Sequence, residues 1–347
     1  MSSWRNQQSR PAHRGRGRAA PRGPQPSGPP KKQIQMEHIA SVSRSSGIEK
    51  DGDTLKDWKV QEEYRVFLQG KVDDVLNKYP RRATESEKET NQRINAQENV
   101  LILFRKLREG ISATRRCDSF ALEVYETSLY LAAAFESPKQ STSIIPHLVP
   151  SLYVSSPAPH DNLLASVVIS LLHHLVVAYP SQSSFRQHFA SIPSGLIPRN
   201  SAASKWIVSL AKSLRTQNYA AFELSTRPSS ISRLFEGFND LSSALKSMSI
   251  SSGEGGSLSR QALSGLVHSL RSKARETTWE IIRSAYREVS CTNEETQTWL
   301  GSSLCLQSVV PYGRGIGAED WLEQQSMHGH TRHKDGVVGR WIIYKAR

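Results

Sequence analysis

Four stretches near the end of the chain decide the fold: Trp279-Glu-Ile-Ile-Arg-Ser-Ala-Tyr286, Thr292-Asn-Glu-Glu295, Ala318-Glu-Asp-Trp-Leu-Glu-Gln-Gln-Ser-Met327 and Val337-Val-Gly-Arg-Trp-Ile-Ile-Tyr344. In the first, Trp279, Ile281, Ile282, Ala285, Tyr286 and Val289 recur at helical spacing. The second has the form of a capping box, in which the Thr292 hydroxyl accepts from the Glu295 N–H and the Glu295 carboxylate reaches back. A helix bearing Trp299, Leu300 and Leu304 is expected to follow. The third is a short helix carrying Trp321 and Leu322. A polar loop, His328–Gly336, precedes the fourth stretch, which is β-branched and aromatic and suits a strand. Helix, helix, short helix and β flap together predict a winged helix. The other reading these residues allow is a helical tail with one stray strand.

Upstream the pattern is almost purely helical. Tyr64, Phe67, Leu68, Val72, Val75, Leu76 and Tyr79 form one stripe from about Asp57, and Pro80 stops it. A charged connector, Arg81–Thr90, leads to Ile94, Val100, Leu101, Leu103, Phe104 and Leu107, with Gly110 expected just past the helix end. Phe120 to Phe135 is a third helix, expected to end before Pro138. Leu163–Tyr179 is apolar, opens after Asp161 as a plausible cap and ends at Pro180. It falls short of the roughly 20 residues of a membrane span and carries two serines and two histidines, so it is read as a buried helix, with no membrane involved. Trp206 to Leu214 is another helix, and Ile231, Leu234, Phe235, Phe238, Leu241, Leu245 and Met248 form a clean stripe capped by Ser229 or Ser230. Ser251–Ser257 is a flexible break, after which Leu263, Leu266, Val267 and Leu270 lead into the terminal module. Such helices bury their stripes by stacking, like tetratricopeptide-type arrays, although no strict period is present.

The chain has 347 residues, enough for roughly two domains. The expected division is an arm over 1–53, a helical-repeat domain over 54–257 and a winged-helix domain over 258–347. The net charge is +13, and eight basic residues with no acidic one precede Glu37, so that stretch alone carries +8. The arm holds Pro11, Pro21, Pro24, Pro26, Pro29 and Pro30 and is too polar to offset the entropy of ordering, so it is expected to be disordered. Arg14, Arg16, Arg18 and Arg22 form an RG-type element suited to nonspecific contact with single-stranded RNA; a solubilising tail is the alternative. No apolar segment follows the basic start, so no secretory signal is expected, and the prolines oppose an amphipathic transit helix. Cys117, Cys291 and Cys305 are odd in number and scattered, which argues against a disulfide framework and for a reducing compartment.

Three motifs resemble the family named after the germinal-centre-associated nuclear protein, which includes messenger-RNA export scaffolds and related proteasome-lid subunits. Phe120-Ala-Leu-Glu-Val-Tyr-Glu126 resembles its F-x-x-E-V-Y-E helix. Leu214-Arg-Thr-Gln-Asn-Tyr-Ala-Ala-Phe222 is similar to its L-x-x-x-N-Y-x-x-F junction. Trp279–Tyr286 looks like the helix that opens its PCI winged helix. After the first motif the chain departs from the pattern, reading Glu136-Ser-Pro-Lys-Gln-Ser and a Pro-punctuated Ile144–Tyr153. The resemblance implies a PCI-type body in which Phe120, Val124 and Tyr125 lie in the core and Tyr219 and Phe222 at a helix junction. It further implies other protein subunits of a large complex as partners, and a nuclear, also cytoplasmic, location.

Chemistry-bearing motifs are few. Gly313–Ala318 spells G-x-G-x-x-A, but Pro311 interrupts any preceding strand, so it is read as a loop. His328, His330 and His333 lie in a Gly-rich polar loop without cysteine and are read as an exposed wing, not a metal site. His173 and His174 are adjacent, about 100° apart on a helix, and one is read as a hydrogen-bonded core histidine. No Walker loop, nucleophile elbow or H-E-x-x-H is present, so the chain is read as non-enzymatic, with no cofactor and no small-molecule substrate; an unfamiliar helical enzyme is the remaining alternative. Arg332, Lys334 and Arg340 are the wing's candidates for phosphate contact. The acidic Ala318–Gln325 helix has the wrong sign for base readout and suits protein docking, with Trp321, Leu322 and Trp341 as candidate docking residues.

Overall fold

A computed structural model describes residues 36–44, 50–156, 162–236 and 258–345. The disordered arm expected over 1–53 lies mostly outside these residues, as do its four arginines, Asp161, the stripe beyond Glu236 and the Ser251–Ser257 break. The described chain is mainly helical. Short 3₁₀ turns at Met36–His38, Val42–Arg44 and Lys50–Lys56 lead into α1 (Trp58–Lys78), α2 (Glu87–Ala113) and α3 (Ser119–Ala134). Next come α4 (Pro138–Pro146), a wide turn over His147–Leu152, α5 (Tyr153–Ser155), α6 (Leu163–Ala178) and α7 (Ser183–Ser191). The body continues through α8 (Ala202–Arg215), α9 (Tyr219–Ser225) and α10 (Pro228–Glu236).

Local chemistry sets these boundaries. The Asp57 carboxylate accepts from the Lys59 N–H at 2.8 Å and starts α1. Ser86 and Glu89 form a reciprocal capping box on α2, so the helix begins inside what reads as a charged connector. Gly110 is not past the end of α2 but within its last turns. A Cβ there would lie 2.6 Å from the Leu55 carbonyl oxygen, so the glycine lets α2 approach the Lys50–Lys56 turn. Pro138 opens α4 at its first turn, where its missing N–H has no partner to lose, instead of closing α3. The Pro-punctuated segment stays helical except at Val149, which takes extended angles (φ −118°, ψ 114°) as the residue before Pro150. α6 is capped by Asn162 without a side-chain hydrogen bond.

Neighbouring helices pack in pairs, α1 on α2, α2 on α3 and α6 on α7, and α11 (Leu258–Ala285) lies across both α3 and α6. One apolar core runs from Ile39 through Ala274 and also takes in Cys305 and Val309 from farther along the chain. A second holds Trp279, Ile282, Val289, Leu300, Leu304, Leu322, Trp341 and Ile343. α11 is therefore shared: residues through Ala274 belong to the stack and those from Trp279 to the terminal module. The change of core falls inside one continuous helix, not at the Ser251–Ser257 break.

The terminal module continues with β1 (Glu288–Ser290), α12 (Glu294–Ser303), α13 (Ala318–Met327), β2 (Thr331–His333) and β3 (Arg340–Ile343). The sheet is antiparallel in the order β1-β3-β2. Helix, strand, helix, helix and a two-stranded wing give the arrangement of a winged helix. Details differ from expectation. Val289 sits in β1, not on the helix, and Val337 and Val338 are exposed in the turn before β3. Asn293 caps α12 by accepting from the Glu295 N–H at 2.9 Å, because Thr292 instead pairs with the Ser290 hydroxyl.

Candidate interaction surfaces

Strand alternation sorts the wing's side chains into two faces. Val289 pairs with Trp341, and Thr331 with Ile343; all four are buried. On the opposite, outer face Glu288, Ile342 and Arg332 lie in one row across the sheet. Ser290 and Arg340 form the next row, which Lys334 joins through its N–H to the Arg340 carbonyl at 2.9 Å. Arg332, Lys334 and Arg340 are thus gathered on one face. Lys334 Nζ lies 2.8 Å and Arg340 3.8 Å from the Glu288 carboxylate, and the hydrogen bond from Lys334 holds that carboxyl below its ordinary range. One acid against three bases leaves the face positive, and Arg332 has no ion-pair partner among the described residues. Tyr344, two residues beyond Ile342, is exposed, and its carbonyl accepts from Arg283 Nε at 3.0 Å. A positive face edged by an exposed tyrosine and Arg283 suits a phosphate backbone.

α13 is two-faced in the other sense. Ala318, Leu322 and Gln325 point inward, while Glu319, Asp320, Glu323, Gln324 and Met327 are exposed. Glu319 and Asp320 also suit the positive end of the helix dipole. The outward charge repels phosphate. Of the three docking candidates, Leu322 is 0% exposed and Trp341 1%, which corrects the expectation for both. They are core residues, held inside because strand and helix periodicity turn them toward Trp279 and Leu300. Trp321 is half-buried, edge-on to Trp279 at 6.5 Å, with the Arg275 guanidinium 5.5 Å from its ring centre.

The histidines have ordinary partners. His330 Nδ1 lies 2.9 Å from Gln325 Oε1, and the His333 ring lies tilted against that of Trp341, centres 3.6 Å apart. His173 contacts the Thr142 hydroxyl at 2.9 Å, His174 that of Ser184 at 2.7 Å and His188 that of Ser170 at 3.0 Å. Burial pushes the imidazoles of His173 and His188 down to about 4 and lowers that of His174. His188, which no sequence motif singles out, completes this cluster at 4.4 Å from His174; its position five residues into α7, facing α6, is a tertiary fact with no local signal. Among the described residues no group of three His, Cys, Asp or Glu side chains is placed to hold a metal ion. No described helix is long and apolar enough to cross a membrane. Gly313–Gly317 of the G-x-G-x-x-A letters lie in the connection between α12 and α13, and Ala318 opens α13.

The motif residues fall at structural positions. Val124 and Tyr125 are buried in α3 and Phe120 is half-buried under the Arg116 guanidinium at 4.1 Å. Glu126 accepts from the Tyr153 hydroxyl at 2.6 Å and from Asn162 Nδ2 at 2.9 Å. Asn218 caps α9, which buries Tyr219 and Phe222. Compared with known proteins, the chain matches no family model and no curated protein sequence.

Proposed function

We propose that this chain is a non-enzymatic, PCI-type scaffold subunit of a nuclear multiprotein complex in messenger-RNA processing or export. The observation that carries the reading is the pair of opposite faces on the winged helix: a positive outer sheet face for nucleic-acid backbone and an acidic exposed face on α13 for a protein partner. The three motifs that resemble those of the export-scaffold family, in the same order along the chain, support it. In this reading the helical stack presents side surfaces to other subunits, and the basic arm adds nonspecific affinity for RNA. A second reading, a subunit of a proteasome-lid-type assembly, draws on the same resemblance; the positive sheet face favours the first.

Purification of the tagged full chain from its source organism, followed by mass spectrometry, tests the proposal. Stoichiometric partner subunits are expected, and joint Glu319→Lys, Asp320→Lys and Glu323→Lys substitution is expected to strip one of them while RNA is retained. A chain recovered alone and free of RNA would end the proposal. Recovery with proteasome-lid subunits and without RNA would replace it with the second reading.

A further inference from the structure

Away from the winged helix, a pocket of about 320 Å³ opens between the end of α2, α3 and the His147–Leu152 turn. Its lining includes Arg115, Arg116, His147, Ser112, Ser151 and Cys117. No described carboxylate lines it. The two arginines differ. Arg116 is buried, packed 4.6 Å from the Trp58 ring centre and 4.1 Å from that of Phe120, and paired with Glu62 at 2.8 Å and Asp118 at 2.9 Å. It is a fixed part of the wall. Arg115 is exposed and has no ion-pair partner among the described residues.

The backbone holds Arg115 at the pocket in an unfavourable conformation. The Arg115 N–H bonds to the Ser112 carbonyl and that of Arg116 to Ile111, both at 3.1 Å, which makes a Schellman turn with Arg115 at φ +51°. Glycine fits that position at least cost, and the chain carries a long cation there.

We infer that this pocket binds a phosphomonoester group. A phosphomonoester carries close to two negative charges and three acceptor oxygens. Arg115 supplies an uncommitted guanidinium that can bind two of them side by side. Ser112 lines the same wall, whereas Arg116 is neutralised by Glu62 and Asp118 and the Ser151 hydroxyl donates to the Pro146 carbonyl at 2.9 Å, so the charge offered to the ligand is that of Arg115. A monoester offers Arg115 about two charges where a diester offers one, so the monoester is the better partner. The group is a phosphorylated side chain of a partner or free phosphate. The inference is independent of the scaffold proposal, since none of these residues belongs to the winged helix.

Cys117 provides the test, because it is the exposed thiol while Cys291 and Cys305 are buried. In the full chain its reaction with the dianionic disulfide 5,5′-dithiobis(2-nitrobenzoate) is followed with inorganic phosphate, O-phosphoserine or a uridine dinucleotide present. Phosphate and O-phosphoserine are expected to slow the reaction, and Arg115→Gly to raise the protecting concentration roughly tenfold by removing a charge-assisted contact. Arg115→Lys is expected to restore part of the protection. Glycine suits φ +51°, so this variant keeps the fold. Stronger protection by O-phosphoserine than by phosphate assigns a phosphorylated side chain; equal protection assigns the free anion. No protection at about 10 mM, above the millimolar scale of weak ion binding, overturns the inference. So does equal protection in Arg115→Gly, or a dinucleotide diester that protects as well as phosphoserine.

Discussion

At the residue scale, Trp341 shows how period decides role. Its neighbours suggest a surface: Arg340 is exposed, and aromatic residues beside basic ones read as a contact site. Alternation instead places Trp341 and Ile343 inward with Arg340 outward, and that two-residue period is present in the sequence. Trp341→Ala is expected to destabilise the protein by about 3–5 kcal/mol in chemical denaturation. Trp341→Phe is expected to cost less, because the indole N–H has no hydrogen-bond partner to lose. The histidine cluster gives a second expectation. His173 and His188 have folded pKa values of about 4 against about 6.5 unfolded, so the unfolded chain binds more protons between those values. Their contribution is intact above pH 6.5 and is lost as pH falls toward 4, roughly 2–4 kcal/mol in all once partial exposure is allowed for. Thermal melts from pH 7.5 to 4.5 are expected to fall below pH 6.5 and to fall less steeply in His188→Gln, whose amide can keep a hydrogen bond to Ser170. An equally steep fall in that variant would assign the acid sensitivity to other groups.

At the scale of the element, helix ends are less legible than helix interiors. The apolar stripes of α1, α2, α3 and α8 are plain in the sequence because 3.6-residue spacing repeats over several turns. The ends are hidden because this chain seldom marks them with glycine. Arg115, Glu136, Gln217 and Cys305 all follow helix ends at φ between +51° and +55°. Each has the paired hydrogen bonds of a Schellman turn, with Gln217 donating to Leu214 and Asn218 to Ser213 at the end of α8. A search for a C-terminal glycine therefore settles on Gly110, whose reason is proximity to Leu55 and not a turn. Two substitutions separate these causes. Gln217→Gly is expected to raise stability by roughly 0.5–1 kcal/mol by relieving left-handed strain. Gly110→Ala is expected to lower it by roughly 1–3 kcal/mol, since the backbone of Leu55 must move. Denaturant midpoints measure both, and a stabilised Gly110→Ala would refute the packing explanation.

For the whole molecule, the joint between stack and winged helix is the part least visible in the sequence. The break at Ser251–Ser257 suggests a boundary, yet α11 serves both cores. Two of its arginines hold the joint by bonds to both sides of it. Arg271 donates to Thr226 Oγ1 at 2.7 Å and to the Gln307 carbonyl at 3.1 Å, and Arg275 to the carbonyls of Leu304 at 2.9 Å and Cys305 at 2.8 Å. These hydrogen bonds join residues far apart in sequence, so no local pattern announces them. The wing's charge, by contrast, is legible, because basic residues two apart on a strand share a face. Wing and α13 are thereby held on one body with faces of opposite sign. The most direct measurement is the salt dependence of binding to a single-stranded RNA oligonucleotide, for the full chain and for the joint Arg332→Ala, Lys334→Ala, Arg340→Ala variant. The slope of log K against log [salt] is expected to become shallower by roughly 1–2 in the variant, at about 0.7 for each phosphate no longer neutralised. An unchanged slope with unchanged affinity would contradict a nucleic-acid role for the wing.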